Sequence, residues 1–374
     1  MLPYGKQSVS DADVAAVTHV MQSDWLTTGP TVACFEAAVS AAAGGHPAVS
    51  CTSGTAALHI AYNALGLGRG DEVIVTPMTF VATASAASLW GAKLVFADTE
   101  DDTGLIDPAI VDALATSKTR VIAAVDYAGH PADYDALRQT AVRMDARILD
   151  DAAHSIGSVY RGRLVGELAD ITTFSFFPTK TVTTAEGGAV VALEQAVAER
   201  ARMFHTIGMT RDSTQFRSPH DEGWYYEVRA LGLNYRLNDM ACALGLSQLA
   251  RLRQFKARRA ELTARYNEAL SAVDGLRTPT QRPDVDPAWH LYPLRVLDGR
   301  RREVYDKMRA AGIGVQVNYI PVYWHPVYED MGYKRGMCPR AEDFYAEELS
   351  LPLFPDLTGS QVDHVIDVLI GALK

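Results

Sequence analysis

Cysteine is scarce in this chain, with four residues among 374. They are Cys34, Cys51, Cys242 and Cys338. Their wide separation, with no Cys-x-x-Cys spacing, argues against a zinc site held by thiolates and against a disulfide framework. We therefore expect a protein of the reducing cytoplasm, with no metal at its functional site.

Long apolar runs are absent as well. No stretch of about 18 consecutive apolar residues occurs, and that is the length that a membrane-spanning helix needs. The first residues, Met1 to Lys6, lack the charged start and the following apolar stretch of a secretory signal. The sequence thus predicts neither a membrane protein nor an exported one.

Basic residues are outnumbered by acidic ones. The chain has 35 lysines and arginines against 45 aspartates and glutamates, which gives a formal net charge of −10. A nucleic-acid surface needs clustered lysine and arginine to replace the counterions of the phosphates. The charge balance therefore argues against DNA or RNA as a partner.

Short apolar runs rich in β-branched residues alternate with amphipathic stretches along the first half of the chain. The runs are residues 73–76, 93–96, 121–125, 147–149 and 171–174. Continuous apolar strands of this kind are typical of sheets buried on both faces, and helical patterns such as 81–90 and 133–144 lie between them. The alternation predicts an α/β fold with a mostly parallel sheet covered by helices.

The pattern changes after Leu237, where a long helical segment continues past Ala257. The elements predicted beyond it are a strand over 290–296, a helix over 302–311 and a strand over 315–319. We interpret them as a smaller C-terminal α/β domain, residues 251–374. It follows a large domain of residues 1–250.

One lysine, Lys180, lies between an apolar run and a stretch of threonines and paired glycines, where a chain that leaves a strand enters a turn. An amine in apolar surroundings loses its proton more easily, so it can form a Schiff base with an aldehyde cofactor. A solvated salt-bridge lysine is the alternative. The local run leaves both interpretations open.

Residues 52–61 place small side chains immediately before an apolar stretch with helical periodicity. The free amides at the start of such a helix form an anion site, and Gly54 and Thr55 are small enough to let a phosphate approach. A plain serine or threonine helix cap would account for the same residues.

Two acids, Asp150 and Asp151, stand at the end of the strand predicted over 147–149. Ligands of open α/β sheets bind beyond the carboxyl ends of strands, and a buried carboxylate there can keep a pyridinium nitrogen protonated. Both acids could equally cap the next helix, with His154 an ordinary polar residue. Spacing alone does not choose between the two acids.

Two further stretches carry candidate ligand groups. Phe80 follows the strand at 73–76 and would stack on a flat cofactor, although an aromatic residue in such a helix also fits the core. Residues 232–239 gather polar groups before a hydrophobic helix, and turn or capping functions would explain Asn238 and Asp239 as well.

A phosphate turn, a stacking ring, an acid at a strand end and a lysine about thirty residues later form the set that anchors pyridoxal phosphate. In this arrangement the chain resembles the DegT/DnrJ/EryC1/StrS family of sugar aminotransferases. The likeness extends from residues 25–30 to residues 341–352. It implies the aspartate-aminotransferase-like α/β fold and pyridoxal phosphate as the cofactor.

The resemblance also assigns roles to residues. Lys180 is then the lysine that forms the Schiff base and shuttles the proton, and Asp151 is the partner of the pyridine nitrogen. His154 takes the place near the cofactor hydroxyl that many relatives fill with glutamine, and Phe80 stacks on the ring. The residues that bind the phosphate are Gly54, Thr55, Ser175 and, from the neighbouring subunit, Asn234. The match at Asn234 implies a homodimer with composite active sites.

Within the family the chain is most similar to the subgroup that aminates C4 of nucleotide-linked 4-keto-6-deoxyhexoses, which includes the altrosamine transaminase of pseudaminic acid synthesis. The stretches that carry this likeness are 125–129, 183–191, 243–249 and 290–293. The implied reaction moves an amino group from L-glutamate to a dTDP- or UDP-linked sugar. Amination at C3, a dehydratase of the same family and a non-catalytic sensor are the alternatives. The dehydratases carry histidine in place of the lysine, and no basic DNA-binding extension supports a sensor.

Overall fold

The computed structural model describes residues 1–374. The helices are Asp11–Met21 (α1), Pro30–Ala42 (α2), Gly54–Ala64 (α3), Ala82–Leu89 (α4), Pro108–Leu114 (α5), Tyr134–Met144 (α6), Gln195–His205 (α7), Asp239–Leu249 (α8), Leu252–Leu270 (α9), Arg301–Ala310 (α10), Pro326–Asp330 (α11), Pro339–Glu347 (α12) and Gly359–Ala372 (α13). None of them combines the length and the apolar character needed to cross a lipid bilayer.

The strands are short, as is usual in α/β proteins. They are Ala48–Cys51 (β1), Glu72–Val75 (β2), Lys93–Phe96 (β3), Thr119–Val125 (β4), Arg147–Asp151 (β5), Val159–Tyr160 (β6), Arg163–Leu164 (β7), Ile171–Ser175 (β8), Gly188–Ala192 (β9), Met209–Thr210 (β10), Glu227–Val228 (β11), Leu276–Arg277 (β12), Val285–Asp286 (β13), Tyr292–Val296 (β14) and Glu348–Leu351 (β15). All five strands predicted in the first half of the chain are present, as β2, β3, β4, β5 and β8.

Seven strands form the central sheet in the order β1-β9-β8-β5-β4-β2-β3. Only β9 runs against the others, so the predicted mostly parallel sheet is confirmed. Alternate residues of β4 enter two separate apolar clusters: Val121 joins α3, α4 and α7, whereas Ile122 joins α2, α5 and α6. Helices therefore cover both faces, which explains why the strands are continuously apolar.

The connection between β8 and β9, residues 176–187, carries Lys180. Since β9 pairs antiparallel with β8, this connection leaves and re-enters the sheet at the same edge. The carboxyl ends of β1, β4, β5 and β8 also meet there, because these strands are parallel. The topology thus brings Lys180, Gly54, Asp151 and Ser175 to one edge of the sheet, where ligands of open α/β sheets bind.

The long helix predicted after Leu237 is two helices, α8 and α9. Arg251 leaves the helical conformation (φ −103°, ψ 5°) between them. Its guanidinium instead binds the buried carboxylate of Asp13 in α1 and the carbonyl of Ser8. The side chain of Arg251 thus makes a tertiary ion pair at the break, a contact that helical periodicity does not reveal.

The strand predicted over residues 315–319 is wrong. Only an isolated bridge between Gln316 and Ser350 forms there. The backbone amide of Asn318 donates to the buried carboxylate of Glu348 at 2.6 Å instead of to a neighbouring strand. The predicted strand over 290–296 and helix over 302–311 are present as β14 and α10.

The C-terminal part contains a three-stranded antiparallel sheet, β12-β14-β15. The chain start joins it, since the amide of Leu2 donates to the carbonyl of Gly312 at 2.8 Å and Leu353 donates to Tyr4 at 2.9 Å. One apolar cluster includes Val75 of β2 and Leu294 of β14, so the two parts share a core. We propose that the division into domains falls between α8 and α9, near residue 250.

Candidate active site

A cavity of about 660 Å³ opens at the carboxyl edge of the central sheet. Seven of the residues predicted from the sequence line it: Gly54, Thr55, Phe80, Asp151, His154, Ser175 and Lys180. They come from four separate segments of the chain, so the fold brings together what the sequence keeps far apart. Asn234 is not among the lining residues.

Lys180 is half-buried in the turn that follows β8. Its backbone amide donates to the carbonyl of Phe177 at 2.9 Å, which fixes the turn. Desolvation lowers the pKa of its amine to about 8, and the negative charge of Asp151 opposes that shift. A larger fraction of the amine is therefore neutral near pH 7 than in a solvated lysine, as the sequence interpretation of Lys180 as a reactive amine requires.

Asp151 faces the cavity from the last position of β5, whereas Asp150 does not line it. Successive side chains of a strand point to opposite faces, so only one of the two acids can face the ligand. The hydroxyl of Thr83 donates to Asp151 Oδ2 at 2.5 Å, and the amide of Ala153 donates to Oδ1 at 3.2 Å. Burial raises the pKa of Asp151, while these two donors and Lys180 counteract the shift.

His154 and His290 lie side by side in the cavity, with ring centroids 4.4 Å apart. Nε2 of His154 is 3.2 Å from the hydroxyl of Tyr319, and Nδ1 of each histidine has no hydrogen-bond partner. Desolvation lowers the pKa of both imidazoles well below the usual value, so both are neutral near pH 7. Sequence reasoning missed His290 as a site residue, although it lies in the His290–Pro293 stretch that resembles the family.

The start of α3 combines the two functions that the sequence left as alternatives. Ser53 caps the helix, since its hydroxyl accepts a hydrogen bond from the amide of Ala56 at 3.1 Å. The amides of Gly54 and Thr55 precede the first helical hydrogen bond and are available to an anion. A methyl group on Gly54 would lie 2.8 Å from Cβ of Ser175, so the two segments approach more closely than any larger residue would permit.

Phe80 is 59% exposed, and its ring centroid lies 6.1 Å from that of Tyr319. It therefore belongs to the wall of the cavity and not to the core, which was the alternative. Asn234 is exposed and pairs with Thr206 outside the cavity. Its predicted role in the cavity of a neighbouring subunit stays a prediction.

The model of the DegT/DnrJ/EryC1/StrS aminotransferase family matches residues 7–370. The chain belongs to this family. It is 37% identical over 379 residues to the spore coat polysaccharide biosynthesis protein SpsC of Bacillus subtilis, with 100% of this chain and 97% of SpsC covered.

Solved structures of sugar aminotransferases match over almost the whole chain. Spr1654 of Streptococcus pneumoniae is 29% identical in its PLP form, with a TM-score of 0.92 and coverage of 99% of this chain and 98% of that one. Its PMP form matches with a TM-score of 0.93. PseC of Helicobacter pylori, an aminotransferase involved in the biosynthesis of pseudoaminic acid, is 29% identical, with a TM-score of 0.93 and coverage of 99% and 98%.

The chain is therefore a sugar aminotransferase of the aspartate-aminotransferase-like fold, and pyridoxal phosphate is its cofactor. The residues present fit that group. The Gly54–Ser175 approach leaves amides for a phosphate, Nδ1 of the cavity-lining His154 is buried without a hydrogen-bond partner, and Asp151 and Lys180 both line the cavity and act on each other's charge.

Proposed function

We propose that the enzyme transfers the amino group of L-glutamate to C4 of a dTDP- or UDP-linked 4-keto-6-deoxyhexose, which yields a 4-amino-4,6-dideoxyhexose. The observation that carries the proposal is the desolvated Lys180 amine opposite Asp151 in a cavity large enough for a sugar. Similarity to PseC over nearly the whole chain supports this branch of the family. We place the reaction in the cytoplasm, where the four unpaired cysteines are stable.

The bound cofactor supplies an electron sink and carries the amino group between the two substrates. Lys180 supplies a neutral amine and then accepts and returns the proton that moves during each half-reaction. Because burial holds its pKa at about 8, the amine can do both near neutral pH. Asp151, held by Thr83 and Ala153, presents a fixed carboxylate that keeps a pyridine nitrogen protonated.

The cavity of one protomer lacks cations for its anionic substrates. Lys180 is its only basic residue apart from the two neutral histidines, and no arginine lines it. L-Glutamate brings two carboxylates and a nucleotide sugar brings a diphosphate, and both groups are usually bound by arginine or lysine. This deficit supports a second subunit that completes the site.

Exposed apolar side chains support the same homodimer. The segment of residues 207–236 leaves Trp224 79% exposed and Leu231 92% exposed, and α1 exposes Met21. Large apolar side chains in clusters mark interfaces more often than free surface. The same segment carries Asn234, so we propose that it reaches the cavity of the partner subunit.

Mixed dimers provide a test of the composite site. A dimer of one Lys180→Ala chain and one Asn234→Ala chain would place both changes in one site and leave the other site intact. We expect each homodimer variant to be impaired at limiting cofactor and the mixed dimer, purified with two affinity tags, to regain about half of wild-type activity per dimer. Mixed dimers no more active than their parents would show that Asn234 serves its own subunit.

The sugar is tested with a panel of dTDP- and UDP-linked 3-keto and 4-keto sugars, with L-glutamate as donor and mass spectrometry of the products. We expect an amine from a 4-keto-6-deoxy substrate and one equivalent of 2-oxoglutarate. Amination of 3-keto sugars alone would contradict the C4 assignment. Dehydrated product without a donor would indicate a dehydratase, and no turnover of any substrate would favour a sensor.

A further inference from the structure

A closed polar cluster lies behind Asp151, outside the cavity. Asp126 directly follows β4, Asp150 lies within β5, and both carboxyl groups are fully buried. The charged side chains that act on them are acidic: Asp151 acts on both, and Asp126 acts on Asp150. Two buried carboxyl groups without a cation cannot both ionise at modest cost, because each charge opposes the other.

The hydrogen bonds distinguish the two acids. Asp126 accepts three: from the hydroxyl of Ser155 at 2.7 Å, from the hydroxyl of Tyr134 at 2.8 Å and from the amide of Ala132 at 3.1 Å. Asp150 accepts one long bond, from Thr172 at 3.4 Å, its Oδ1 has no partner, and the Tyr134 hydroxyl that donates to Asp126 also lies beside it. An ionised carboxylate needs donors when buried, so the donors favour the charge on Asp126 and the proton on Asp150.

We propose that Asp126 and Asp150 hold one proton between them beside the Tyr134 hydroxyl, and that ionised Asp126 is a positioning residue for the cofactor site. The hydrogen bond from Ser155 ties Asp126 to the segment that carries Ala153 and His154, of which Ala153 donates to Asp151. The amide of Asp126 also donates to the carbonyl of Asp151 at 3.2 Å. The positioning role rests on the proposed function, because that function assigns Asp151 and His154 to the cofactor. The shared proton does not rest on it.

The protonation of the pair couples folding to pH. Burial and the charge of Asp126 raise the pKa of Asp150 well above its usual range, and burial also raises the pKa of Asp126, against the three donors that stabilise its charge. The unfolded chain releases such protons near pH 4. Stability that the pair contributes is therefore complete at low pH and is lost as pH rises toward 7. Tyr134 of α6, whose pKa lies well above 10.0, stays protonated throughout this range.

The test compares the cofactor-free wild type with Asp150→Asn, which keeps the size of the side chain and removes the titration. We compare the unfolding equilibrium constant in urea between about pH 5 and pH 7. For each pH unit, the ratio of the wild-type constant to the variant constant should increase about tenfold. Infrared spectra at pH 7 should show the carbonyl band of a protonated carboxyl group that is lost in Asp150→Asn and retained in Asp126→Asn. Parallel pH curves, or no such band in the wild type, would overturn the shared proton.

The positioning role is tested in the same Asp126→Asn variant of the holoenzyme. We expect kcat about tenfold lower with KM for the sugar nearly unchanged, because a displaced 152–158 segment misplaces Asp151 without altering the sugar side of the cavity. An unchanged kcat would overturn this role. The shared proton is measured without cofactor or substrate, so its failure is distinguishable from failure of the proposed function.

Discussion

Replacement of Lys180 by arginine is expected to lower the rate of amino transfer by roughly 10²–10⁴-fold, the range that a positioned proton-transfer group contributes. Arginine keeps the positive charge but does not lose its proton in proteins, so it supplies neither a neutral amine nor a group that returns a proton. Burial holds the pKa of the Lys180 amine at about 8, and no other lysine lines the cavity to replace it. Initial rates at saturating glutamate and sugar measure the loss.

Spectroscopy separates this effect from loss of folding. The visible absorbance of a lysine-bound cofactor should disappear in Lys180→Arg, while the circular dichroism of the backbone stays unchanged. Lys93→Arg is the matched control, because Lys93 is an exposed lysine at the start of β3 that pairs with Glu72 of β2 and does not line the cavity. It should keep full activity and the visible band. An unchanged visible spectrum in Lys180→Arg would remove Lys180 from its role.

The central sheet was predictable because strands that are buried on both faces have continuously apolar sequences. Runs such as residues 121–125 are apolar without interruption, and the structure places helices on both sides of β4. The parallel order of these strands explains why residues that follow them, including Asp151 and Lys180, meet at one edge of the sheet. Most of the site residues therefore lie just after the end of a strand of the central sheet.

Other residues of the site could not be predicted from the sequence around them. Tyr4 lines the cavity only because the chain start pairs with residues 312–314 at the far end of the sequence. His290 is held there by backbone bonds, since its amide donates to Ala128 at 2.8 Å and buried Arg259 donates to its carbonyl at 3.2 Å. These contacts join segments that are distant in sequence, and no periodicity or spacing within one segment encodes them.

The choice between Asp150 and Asp151 depends on the geometry of the strand and not on the chemistry of the residues. The two neighbours are chemically identical, and either fits a strand end that faces a ligand. The register of β5 turns one toward the cavity and the other away from it. A one-residue shift in that register would exchange them, because the side chains of a strand alternate between its faces.

Replacement of Asp151 by asparagine is the second change with a large expected effect. We expect kcat to decrease by roughly 10²–10³-fold, as for the loss of other fixed groups that stabilise charge in a transition state. Asparagine keeps the shape and can still accept a hydrogen bond from Thr83, but it cannot hold a pyridine nitrogen in its protonated form. KM for the sugar should change little, since in the proposed function this acid would bind the cofactor ring and not the sugar. Steady-state kinetics with both substrates measure the two constants separately.

Asp150→Asn is the matched control, because it makes the same chemical change one residue away. If Asp150 already carries a proton, its amide replacement alters no charge at neutral pH, and the loss of kcat should be far smaller than for Asp151→Asn. Both variants replace a buried aspartate of β5 with asparagine, so they differ in the position of the change and not in its chemistry. Equal losses of kcat in the two variants would mean that the cavity-facing position of Asp151 has no special catalytic importance. A large loss confined to Asp151→Asn ties the chemistry to the one acid that faces Lys180.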